Sequence, residues 1–277
     1  MTKGNIKTGS NIYFHYSADV TAKQKQAVKS AVVDLKDKTK KNRAFFINLH
    51  MNVCNNRNDL KEHTSFSRYI KQQDLDNDNV IGVATFPLYN NGVKEIIIKT
   101  ENSNSGFLGC FKKDWSYNTI YESTLHELGH EFDDYFGQRN PEVENEYKSL
   151  NANYQKPQDE LAKIIDRTTG LRNSEEFKEA WRKDVNKIGQ KTKKEQEKLG
   201  YIKPDFYSKI DISDGVNDIE LEEAEMDRGE AFAQLFAYAL SGDKNIEIYD
   251  KSTILKSYPN AFAVVKSYIT KFFGIQF

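Results

Sequence analysis

The sequence predicts an α+β chain: a small mixed sheet in the N-terminal part, then a mainly helical C-terminal half with a charged helical insertion at about 138–222. Three observations predict it. Short runs rich in β-branched and aromatic residues cluster before residue 101. From Asn118 onward apolar residues recur at helical spacing instead. Between the two clearest helical stretches, lysine, glutamate and glutamine dominate, the composition of solvated helices. No internal repeat or low-complexity linker divides the chain, so residues 1–277 read as one domain, strand-rich over 1–116 and helical over 117–277.

Taken in order, residues 11–16 read as a short strand. Thr21-x-x-Gln24 has capping-box spacing and opens a helix with Ala27, Val28, Ala31, Val32 and Leu35 on one face. Residues 44–53 (AFFINLHMNV) read as a strand, and 60–73 as a polar helix. Residues 80–86 and 93–100 read as two strands joined by a turn at Asn90-Asn91-Gly92. Ile97 should face opposite to Ile96 and Ile98, because strand residues alternate. This last strand is expected at the sheet edge, where an extended substrate could add as another strand; a central strand buried on both faces is the other reading.

In the helical half, Tyr121, Leu125, Leu128, Phe132 and Tyr135 share a face, and Gly137 stands where a C-terminal cap would be. Asn140-Pro141 and Asn173-x-x-Glu176 look like helix starts, with 141–200 projecting from the core. An acidic stretch at 211–227 reads as an inserted loop, followed by helices at about 227–240 and Pro259–Phe273.

Composition excludes several classes of function. Forty basic and 41 acidic residues leave a net charge of −1, so no global field favours nucleic acid or an anionic membrane. No apolar run approaches the roughly 18 residues of a membrane span, so no stable membrane insertion is expected. The N-terminus has lysines but no apolar core of a signal peptide. Cys54 and Cys110 match no zinc-knuckle or redox spacing and are expected as buried free thiols. Mean hydropathy is low at −0.74, yet 17 Phe and 15 Tyr supply a real core, so the polarity belongs to solvated helices rather than to disorder. A monomer is expected.

The chemistry is concentrated in Thr124-Leu125-His126-Glu127-Leu128-Gly129-His130. Histidines four apart on a helix lie one turn apart, so His126 and His130 can reach one metal ion from the same face. Zinc accepts such nitrogen ligands and keeps an open position. Glu127 lies about 100° around the helix from His126 and so stands clear of the ligand row. It can act as general base toward a metal-activated water. With only five histidines in 277 residues, a chance occurrence is rare. Gly129 permits close packing of another element, whereas Glu131 places a charge directly after the second histidine.

A third ligand is needed. His15, His50 and His63 all lie upstream, and the longer H-E-x-x-H-x-x-G-x-x-H pattern is absent, since Asp133 and Phe136 occupy its later positions. A carboxylate is the better candidate, and Glu230 leads, with Asp227 and Glu225 behind it. Glu230, Ala233, Gln234 and Ala237 share a small, polar helix face that could lie close against the histidine helix. Asp227-x-x-Glu230 equally has capping-box spacing. Asp133 and Asp134 are candidates either to orient the imidazoles or to serve the fold.

The run from His126 to Tyr135 (HELGHEFDDY), with Glu230-Ala231-Phe232-Ala233-Gln234-Leu235-Phe236-Ala237-Tyr238, resembles the catalytic domain of anthrax lethal factor and the bacterial Pro-Pro endopeptidases of the same superfamily. The preceding strand and polar Asn102–Gly106 segment, and the tail Lys256-Ser257-Tyr258-Pro259-Asn260-Ala261-Phe262, extend the likeness. The resemblance implies a zincin-like metallopeptidase fold and one zinc ion held by His126, His130 and Glu230. It implies Glu127 as base, a protein or peptide substrate bound in extended form, and secretion, as for a toxin. It also implies an oxyanion-stabilising tyrosine shortly before the third ligand. Here that place holds Glu222, Glu223, Ala224 and Glu225, so Tyr207 is assigned instead, with Tyr201 as the alternative. Two other readings compete with the zinc-dependent endopeptidase. One is a cytoplasmic regulatory metallopeptidase that cleaves a mobile-element repressor. The other is a non-catalytic binding module on a peptidase fold, against which the intact Glu127 argues.

Overall fold

The computed structural model describes residues 12–54, 82–85, 94–102, 113–137, 169–189, 218–242 and 251–277. Its architecture is mixed α/β, mostly helical, with a small four-stranded sheet and a separate two-stranded pair among the described residues. Strand β1 (Ile12–Tyr16) leads to helix α1 (Ala22–Lys38), a short 3-10 helix (Arg43–Phe46) and β2 (Leu49–Cys54). Strands β3 (Gly82–Thr85) and β4 (Lys94–Lys99) follow, then the two-residue pair β5 (Glu101–Asn102) and β6 (Lys113–Asp114). Helices α2 (Tyr117–Phe136), α3 (Glu175–Gly189), α4 (Asp218–Ser241), α5 (Lys251–Ser257) and α6 (Pro259–Phe273), with a second 3-10 helix (Leu171–Asn173) just before α3, complete the described chain.

The sheet order is β1-β2-β4-β3, with β1, β2 and β4 parallel and β3 antiparallel to β4. The antiparallel register sets Gly82 opposite Ile98 and Ala84 opposite Ile96. Alternation then puts Gly82, Ala84, Ile96, Ile98, Met51 and Val53 on one face. That face meets α2, and the larger of these residues enter the apolar core together with the buried face of α1. Ile97, opposite Val83 and Asn52, is also buried but stands apart from that core, as alternation requires.

The capping box at Thr21 and Gln24 forms as the spacing predicts, and the predicted face of α1 is buried. The strand expected at 93–100 is not an edge, however. It is β4, hydrogen-bonded on both sides, and the outer strand beside the metal-motif helix is β3. Three consecutive isoleucines fit a strand with both faces covered.

The strand expected at 44–53 is also corrected. Its first part is the 3-10 helix, bounded by Asn42 at φ 53° and Asn48 at φ 54°. A strand would send adjacent side chains to opposite faces, whereas the tight turn buries both Phe45 and Phe46 in the core. Phe45 meets Phe132, Tyr135, Phe136 and Phe273 there, tying α2 to α6.

The described part of the charged region does not project. Helix α3 packs on α6 through a face containing Phe177, Trp181 and Val185. Its start is capped by Ser174 rather than Asn173, the Phe177 N–H donating to Ser174 Oγ at 3.3 Å. Asp184 of α3 takes hydrogen bonds from the Ala261 N–H at 2.8 Å and Asn260 Nδ2 at 2.6 Å, satisfying amides at the start of α6. Part of the expected acidic loop at 211–227 is helix, since α4 begins at Asp218. Gly137 does follow α2, but at φ −76° it is no left-handed cap. Its glycine answers to contact instead, because a Cβ there would lie 2.2 Å from the Gly170 Cα. The helices expected at 60–73 and Asn140-Pro141 lie outside the described residues, as does the turn at Asn90-Asn91-Gly92. Among the described residues no helix is long and apolar enough to cross a membrane.

Helices α2 and α4 approach each other closely. A Cβ on Gly129 would lie 2.9 Å from the Ala233 Cα and 3.0 Å from its carbonyl oxygen. Gly129→Ala should therefore destabilise the fold: overpacking against backbone costs about 1–3 kcal/mol, more than the roughly 1 kcal/mol that alanine gains over glycine in a helix. Thermal denaturation checks this, and an unchanged or raised midpoint would mean that the two helices have room to part.

Candidate metal centre

Helix α2 places His126 and His130 one turn apart on the side facing α4. Its first turn is fixed by Ser116, whose Oγ accepts the Thr119 N–H at 3.1 Å. Farther along, the Gly129–Ala233 contact lets α4 come near enough for Glu230 to meet both imidazoles. Glu230 Oε2 lies 3.1 Å from His126 Nε2, and Oε1 lies 3.4 Å from His130 Nε2. The two Nε2 atoms are 3.1 Å apart, with the rings nearly perpendicular at 80°.

These residues form a group that could hold a metal ion, all three ligand atoms lying within 4.8 Å of one another. Donors in a tetrahedron of about 2.0–2.1 Å bonds stand about 3.3–3.4 Å apart, close to the separations seen. The His126 and His130 side chains are 13% and 18% exposed and that of Glu230 is 39% exposed, so the group is open on one side. Asp227 and Glu230 both lie well inside α4, which removes the capping-box reading of that pair.

The group that orients His126 has no motif of its own in the sequence. Gln234 Oε1 lies 3.0 Å from His126 Nδ1, and Gln234 Nε2 donates to Glu122 Oε1 at 2.6 Å. Because the Gln234 amide spends its N–H on Glu122, its oxygen faces the ring and accepts Nδ1–H. That tautomer leaves the Nε2 lone pair for a metal. Gln234 stands four residues after Glu230 on the same helix face, so its place was legible. Its role depends on Glu122, four residues before His126, which no motif singles out.

The electrostatics follow from the crowding. Burial works against charge on Glu230, but His130 and His126 outweigh it and hold the carboxyl well below the usual range. Burial likewise opposes protonation of His126, but the hydrogen bond and charge of Glu230, the Glu127 charge and Gln234 raise it to about 9. Glu127 is 6% exposed. Burial pushes its carboxyl above the ordinary range, against the pull of both imidazoles and of the Ala84 amide.

Glu131 does not face solvent. Burial, with the charges of Asp134 and Glu127, raises it well above the ordinary range, while Lys94 pulls the other way. Asp133 serves the fold rather than an imidazole: its oxygens take the Arg172 backbone N–H at 2.7 Å and the Arg172 guanidinium. His15 and His50 pair with each other on β1 and β2, Nε2 to Nδ1 at 3.1 Å, and His50 lies on the sheet face opposite Met51. Cys54 is buried, its Sγ 3.8 Å from the Ile98 carbonyl oxygen. His63, Cys110, Tyr201 and Tyr207 lie outside the described residues. The chain matches no family model, no curated protein and no solved structure.

Two outcomes follow. A metal must displace the proton that His126 holds below about 9, so metal uptake should release protons and weaken as pH falls. For one proton, apparent affinity should drop about tenfold per unit from roughly pH 8 to 6; calorimetry in buffers of different ionisation enthalpy measures it, and a pH-independent affinity contradicts it. Gln234→Leu should weaken metal binding by about 10- to 100-fold in protein that remains folded by circular dichroism. Unchanged affinity would mean that Gln234 does not hold the ring.

Proposed function

We propose that the chain is a zinc-dependent endopeptidase with a zincin-like fold, binding one zinc ion through His126, His130 and Glu230 and using Glu127 as general base. The observation that carries this reading is the meeting of those three donors beside a buried carboxyl that is not one of them. Two imidazoles and one carboxylate suit zinc and leave a position open. The small sheet whose outer strand β3 runs beside the histidine helix is compatible with the zincin arrangement. So is a third donor supplied by a second helix.

Zinc, when bound, supplies Lewis acidity and brings the pKa of water toward neutrality. The protein's own groups do the rest. Glu127 takes a proton from the attacking water and delivers it to the leaving amine as the C–N bond breaks. Its raised affinity for protons, caused first by burial, suits both halves of that exchange near neutral pH. Gln234 keeps His126 in the ligating tautomer. An extended peptide would align along β3, the outer strand beside the helix, rather than along the internal β4. Tyr207 is proposed as the donor that stabilises the oxyanion.

The test is a pair of substitutions read by elemental analysis and unbiased peptide-library cleavage. Wild-type protein reconstituted with zinc should hold one ion per chain and cleave peptides. Glu127→Ala should keep the ion and lose about 10²- to 10⁴-fold in turnover, whereas Glu230→Ala should lose the ion more readily. Zinc near zero in the wild type, or undiminished turnover in Glu127→Ala, would remove the reading.

A further inference from the structure

Strand β3 contains a glycine that its backbone does not require. Gly82 is not among the positive-φ glycines, so a side chain would be sterically allowed by the backbone, and β-branched residues are the ordinary occupants of such a strand. What excludes a side chain is Glu127. A Cβ on Gly82 would lie 2.5 Å from Glu127 Oε1, 2.6 Å from its Cγ and 2.8 Å from its Cδ. The glutamate side chain occupies the volume that any other residue would fill.

Two residues on, and on the same sheet face, Ala84 bonds the Glu127 carboxylate through its backbone N–H. Small residues at alternate positions thus let the strand close on the helix at the level of the carboxyl. The contact differs in kind from the other close glycines. At Gly129 and Gly137 the nearest atoms are backbone, so a side chain there must move whole elements. At Gly82 all three are atoms of one flexible side chain, so a Cβ displaces Glu127 and leaves the helix where it is.

We propose that Gly82 is a positioning residue for Glu127: its missing side chain forms the cradle that seats the carboxylate against the Ala84 amide. The inference rests on the reading of Glu127 as general base in a peptidase. The atoms nearest to a Gly82 Cβ all belong to Glu127 and none to His126, His130 or Glu230, so its substitution separates seating of the base from assembly of the centre.

The experiment compares Gly82→Ala, Glu127→Asp and the double variant with wild type, by zinc content, thermal midpoint, and kcat and KM on a peptide that the wild type cleaves. Gly82→Ala should keep one zinc per chain and its fold while kcat falls about 10- to 100-fold with KM little changed. Glu127→Asp, one methylene shorter, should cost clearly less in the Gly82→Ala background than alone, because both changes act through the same carboxyl. Apart from activity, the Ala84 amide resonance of zinc-free Gly82→Ala should move in the direction that Glu127→Ala moves it. Unchanged kcat, a rise in KM alone, additive losses, or loss of zinc or fold would each overturn the assignment. A zinc-loaded wild type that cleaves nothing would instead remove the peptidase reading on which the inference rests, a result distinct from an active wild type with an equally active Gly82→Ala.

Discussion

Everything at the candidate centre depends on two helices touching backbone to backbone. Gly129 precedes His130 directly, and Ala233 follows Glu230 by three residues, so the contact between them lies at the level of the three candidate donors. The side chains that bridge the helices are short in reach: an imidazole from one and a glutamate from the other must come within about 3 Å at their tips. A Leu–Leu interface would separate the axes toward the upper end of the usual 8–10 Å range and part the donors. The aromatic residues that flank the contact, Phe132, Phe232 and Phe236, then fill the space that the small residues leave on either side.

Helix α2 carries an unusual load for a buried element. Glu122, Glu127, Glu131, Asp133 and Asp134 are all buried, and carboxylates inside a protein persist only with compensation. Glu122 receives the Gln234 amide, Asp133 receives Arg172, and Glu131 lies in the field of Lys94. Each compensating group comes from a different element: α4, the 3-10 helix at Leu171–Asn173, and β4. The acidic helix therefore draws the sheet, the second helix and the distant 3-10 turn to itself, and the polarity that the sequence places on one helix becomes the reason these elements converge.

The elements were legible where local chemistry decides them. The Thr21–Gln24 capping box, the apolar faces of α1 and α2, and the proline start of α6 all follow from short-range patterns. The meeting of His126, His130 and Glu230 was legible too, because H-E-x-x-H writes a helix geometry directly into spacing and Glu230 sits on a face of small residues. What escaped depends on contacts far apart in the chain. Phe45 and Phe46 have strand composition but are turned by two left-handed asparagines toward an aromatic cluster built from α2 and α6. Pairing order cannot be read from a single apolar run, so β4 passed for an edge. Gln234 and Gly82 carry no motif; each matters only because a residue from another element reaches it.

The meeting of Gly137 and Gly170 has a consequence for how this chain can vary. These residues bracket the stretch 138–169, and their backbones are in contact, with Asp133 and Arg172 joined just behind them. Because loop-closure entropy grows only slowly with length, the entropic cost of bringing Gly137 and Gly170 together depends little on how many residues separate them. A change in length between the two glycines therefore weighs little on the closure of their junction itself.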